Sequence, residues 1–162
     1  MPDHDRLLEI YLADHLAAGT AGLALAIRSA RNNSATETGR FLERLAAEIE
    51  EDHETLRRIV GGLGFDGSRL KELVAWAGER LGRLKLNGQM RGYSPLSRLL
   101  ELEMLAVGIA GKLALWQSLE QIPGIAQRLP GVDLEQLVER AEQQRAEVEK
   151  HRLAAAHEAF AE

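Results

Sequence analysis

The sequence predicts an all-α fold: a four-helix bundle with an extra short helix in the connection between its second and third helices. Three observations carry this. The 162 residues are rich in Ala, Leu, Glu and Arg, which favour helix, and only 4% are aromatic. Four long segments each show a helical period of apolar residues. These segments are nearly equal, at about 28 residues or ~40 Å each, and their connections are short, long and short in turn. Matched lengths with short turns build a bundle. The length fits one domain over residues 1–162, with the long connection at 64–93.

The first helix is expected from Asp3 to Arg31. It carries two stripes, Leu8-Tyr11-His15-Ala18-Gly22-Leu25 and Leu7-Ile10-Asp14-Ala17-Ala21-Ala24. A helix apolar on two faces is central in its fold or shared with a partner chain. The second is expected from Ala35 to Gly61, with Ser34 and Glu37 as a capping box and a stripe Leu42-Leu45-Ile49-Asp52-Leu56-Ile59-Leu63. The connection holds a short amphipathic helix near Arg69–Leu84, with Leu70, Leu73, Val74, Ala77 and Leu81 on its apolar face. Asn87-Gly88 then signals a turn. Ser94-Pro95 caps the third long helix, whose expected face is Leu99, Leu100, Ala106, Val107, Ala110, Leu113 and Trp116. Asp133 caps the fourth, with a stripe Leu134-Val138-Ala141-Arg145-Val148-Arg152-Ala155-Ala159.

Composition excludes several classes of function. There is no cysteine, so disulfides, Cys-ligated metal and thiol catalysis are ruled out. A net charge of -5 argues against a dedicated nucleic-acid binder. The longest uncharged run, Leu16 to Ile27, is short for a bilayer, so no membrane partner and a cytoplasmic location are expected. Residues Gly67 to Arg98 carry seven Lys or Arg against two Glu, a basic stretch read as a solvated connection.

The informative residues are polar ones on apolar stripes. They are Asp14 and His15, Asp52 and His53, Glu101 and Glu103, and Arg145, His151 and Arg152. Glu50-x-x-His53 places a carboxylate and an imidazole on one helix face, as a metal ligand pair requires. Glu103, flanked by Leu99, Leu100, Ala106 and Val107, reads as a core carboxylate needing a cation, which Arg145 or Arg152 can supply without a metal. His15 reads as a hydrogen-bonded core histidine. Level arithmetic separates two topologies. If the third helix runs antiparallel to the second, Asp14, Asp52, Glu103 and Glu149–His151 share a layer. If the connection crosses over, Asp52 instead lies level with Gly111 and with Gln143 and Gln144, and Glu103 is displaced by roughly 12 Å.

Four such helices, the long second connection and Glu50-Glu51-Asp52-His53 in mid-helix resemble the ferritin-like superfamily. Leu100-Glu101-Leu102-Glu103 with Gly108 is similar to the third helix of its small stand-alone bacterial members. The resemblance implies a di-metal centre with one Glu from each of the first and third helices and Glu-x-x-His from the second and fourth. Glu50, His53 and Glu103 match that pattern. The middle of the first helix, Ala18 to Gly22, has no Glu, so Asp14 or Glu9 would have to substitute. The fourth helix has no Glu-x-x-His. The expectation is therefore a degraded di-metal site with Glu50, His53, Glu103, Asp14 and His15 as its residual metal candidates. No cofactor is expected; iron or manganese belongs to the alternative. The expected role is a non-catalytic, structural or interaction function in a homodimer, with a further protein partner allowed. The alternative is a metal-binding oxidoreductase or iron-handling protein.

Overall fold

The computed structural model describes residues 3–65 and 92–161, together with Lys71, Glu72, Ala75, Trp76 and Glu79, which are helical. The apolar face expected for the connecting helix lies outside the described residues. The rest is all-α: α1 (His4–Asn32), α2 (Glu37–Gly62), α3 (Pro95–Glu120), α4 (Ile125–Arg128) and α5 (Leu134–Phe160).

Helix boundaries follow local chemistry. Thr36, not Ser34, caps α2, accepting a hydrogen bond from the Gly39 N–H. The turn before it leaves Ser34 outside the helix. Ser94 and Ser97 form a reciprocal capping box with Pro95 at the first turn of α3. The Asp133 carboxylate accepts from Gln136 N–H at the start of α5. Gly124 and Gly131 adopt left-handed backbone on either side of α4, a single turn inside the short third connection.

Cross-helix bonds give the helix directions. Arg28 on α1 reaches Glu101 on α3, and Tyr11 reaches Ser118, so α1 and α3 are antiparallel. On α3 and α5, Arg98 meets Glu158 and Lys112 meets Gln144, again antiparallel. Because α1 is also antiparallel to α2, helices α2 and α3 run parallel. Phe65 and Gly92 therefore lie toward opposite ends of the four long helices, the crossover alternative of the level arithmetic.

The core divides in two. One cluster centres on Leu12, Leu16, Leu56, Ile59, Trp116 and Leu119. The other centres on Phe41, Leu42, Leu45, Leu102, Leu105 and Val148. Between them, at residues 52, 112 and 144, runs a layer of buried polar side chains.

Two expected faces are rotated. On α3 the inward residues are Leu99, Leu102, Leu105, Ile109, Leu113 and Trp116, whereas Leu100 and Val107 are exposed. On α5 the inner position is Gln144, and Arg145 faces solvent. Helix α1 is long and apolar enough to cross a membrane by length and composition, which the charge-free run alone did not show. Of its most apolar window 28% is buried, and Leu8, Tyr11, Leu23 and Leu25 are partly buried against the core.

Candidate functional site

Asp52 is the centre of the polar layer. It is 2% exposed, and one helix turn of α2 places it between Ile49 and Leu56. Lys112 on α3 donates to its Oδ2, Arg140 on α5 donates to its Oδ1 at 3.0 Å, and Gln144 Nε2 lies 3.5 Å from Oδ2. Gln144 also accepts from Lys112 at 2.5 Å and donates to Glu48 at 2.9 Å. A buried carboxylate thus has two cations and an amide. Burial pushes the Lys112 ammonium below its ordinary range, with Asp52 opposing that shift.

His53 is oriented by the next turn of α1. Its Nε2 lies 3.2 Å from the Leu16 carbonyl and 3.1 Å from Thr20 Oγ1, while Thr20 itself donates to that carbonyl. Burial lowers its pKa; the Leu16 bond opposes this, Arg57 adds to it and Glu54 opposes it. Gly19 makes this packing possible, because a Cβ there would stand 2.8 Å from the His53 ring.

The five metal candidates are not brought together. Glu50 is exposed on the outer side of α2, in an open cleft shared with Glu51, Glu54 and Arg58. His53 faces the interior. Asp14 is exposed on α1. His15 packs edge-on against Tyr11, ring centres 4.6 Å apart, and burial lowers its pKa against the pull of Asp14. Glu103 is half-exposed, with Arg152 at 3.8 Å, and it lies about 13 Å along α3 from Lys112 at 1.5 Å per residue. Among the described residues no three His, Asp or Glu side chains converge as a metal ion would need. The physical reason is the parallel course of α2 and α3, which separates Glu103 from the Asp52–His53 level. The strongest partner of Arg152 is Glu149, at 2.6 Å on its own helix.

The buried carboxylate of α3 is Glu101, two residues before the expected Glu103. It accepts from Arg28, from Asn32 and, at 3.0 Å, from the Tyr93 hydroxyl. Tyr93 accepts in turn from Asn33 Nδ2 at 2.7 Å, and Asn33 Oδ1 accepts from Arg98 at 2.6 Å. Burial and, after it, Glu101 push the Tyr93 phenol up to about 12, with the Asn33 hydrogen bond and Arg98 opposing. This network ties the entry of α3 to the α1–α2 turn.

Beside the polar layer lies a groove of about 290 Å³. Ala18, Gly19 and Gly22 of α1 form one wall. Met104, Val107, Gly108 and Gly111 of α3 form the other. Asp52, His53 and Lys112 lie along it with Trp116, whose buried indole N–H has no acceptor among the described residues. A larger cleft, about 590 Å³, opens between α2 and α5, but exposed charged side chains line much of it. The α1–α3 groove is the better candidate because it combines apolar walls with a few placed polar groups. Around it, Leu7 and Ile10 on α1 and Leu96, Leu100, Met104 and Val107 on α3 are exposed.

Comparison of the chain with protein-family models, with curated proteins and with solved structures finds no match.

Proposed function

We propose that this chain is a ferritin-like bundle in which a self-contained charge cluster takes the place of a di-metal centre, and that it acts without catalysis by pairing with a second copy. The parallel course of α2 and α3 agrees with the single long crossover of ferritin-like folds. The observation that carries the pairing is the exposed apolar face of α1 and α3, from Leu7 and Ile10 to Leu96, Leu100, Met104 and Val107, interrupted by Asp14 and Glu103. Exposed apolar residues gathered on one face in this way mark an interaction site. A two-fold contact suits it, since antiparallel copies of one α3 stripe present the same apolar residues to each other.

Light scattering after size exclusion tests this. The expected mass is twice 17.9 kDa for the native chain, falling to a single chain for Leu100→Lys. A native chain that runs as a monomer, or that pellets with lipid vesicles, would overturn the pairing. Stoichiometric iron or manganese in protein purified without added metal would overturn the metal-free reading.

A further inference from the structure

We draw no further inference here: the strongest candidate, the glycine-walled apolar groove between α1 and α3, lies on the face already given to the second copy, its Lys112 is paired with Asp52 of the same groove, and nothing among the described residues shows what else would cover it.

Discussion

Lys112 on α3 donates to Asp52 on α2, so two parallel helices are joined across the interior at one level. The pair is asymmetric. Asp52 keeps Arg140 at 3.0 Å if Lys112 is lost, whereas Lys112 without Asp52 keeps, among the described residues, a hydrogen bond only to the neutral Gln144. Removing one partner of a buried pair costs about 3–5 kcal/mol because the other charge is left uncompensated. Asp52→Leu is therefore expected near that range, and Lys112→Met at no more than about half of it. The double variant Asp52→Leu/Lys112→Met is expected to be less damaged than Asp52→Leu alone. Equilibrium denaturant unfolding of the three variants measures this, and equal losses for the two single variants would contradict it.

Tyr93 links Asn33 to Glu101 through one hydroxyl, which accepts from the first and donates to the second. Tyr93→Phe leaves both groups short of a partner in a partly buried site, so a loss of about 1–3 kcal/mol is expected. A raised phenol pKa stabilises the fold fully below the ordinary value of 10.0 and ceases to do so as pH rises toward about 12. Ultraviolet titration of a Tyr11→Phe variant is expected to show the remaining tyrosine ionising well above the free phenol. Ionisation at the ordinary value would place Tyr93 outside this network.

Three glycines are expected to respond in three different ways to alanine. At Gly39 the new Cβ falls on the Asn33 carbonyl oxygen, backbone that cannot move aside, so the loss is at or beyond the upper end of about 1–3 kcal/mol. At Gly19 it stands 2.8 Å from the His53 ring, and the loss is smaller and is relieved in a His53→Ala background. At Gly22 it meets nothing, so Gly22→Ala is expected to stabilise by roughly 0.5–1 kcal/mol. Thermal unfolding in a Leu100→Lys background, where pairing does not enter, ranks the three.

The helices, the caps at Ser94 and Asp133 and the inner stripe of α2 were legible in the residue spacing because each rests on local chemistry. The facing of α3 was not. It carries two apolar stripes, Leu99-Leu102-Leu105-Ile109 and Leu96-Leu100-Met104-Val107, and a helix apolar all round does not reveal which stripe is inside. That is why Glu103 stood for Glu101. Arg145 stood for Gln144 for a related reason: adjacent residues differ by ~100° on a helix, and a polar inner position breaks the apolar pattern that would fix the phase. Lys112 was missed although a signal was present, since it is the lone charge between Glu103 and Glu120. The direction of α3 depends on Asn33, Tyr93 and Arg98, which are far apart in sequence, and periodicity carries no information about such contacts.

His53 makes the stability of the fold depend on pH in a definite direction. Its pKa in the folded chain lies below the ordinary 6.5 because burial disfavours the imidazolium, and Arg57 acts the same way, while the Leu16 bond and Glu54 oppose. His15 and His151 are lowered too, each chiefly by burial. For a base with a depressed folded pKa, the unfolded chain takes up the proton first. The contribution to stability is complete above about pH 6.5 and is lost as pH falls through the interval between the unfolded and folded values. The thermal midpoint is therefore expected to fall between roughly pH 7.5 and about pH 5.5, each fully coupled proton steepening the loss by up to about 1.4 kcal/mol per pH unit. His53→Gln keeps a donor for the Leu16 carbonyl and cannot titrate, so its midpoint is expected to fall less steeply over the same range. A variant slope as steep as the native one would show that His53 takes no part in the acid sensitivity.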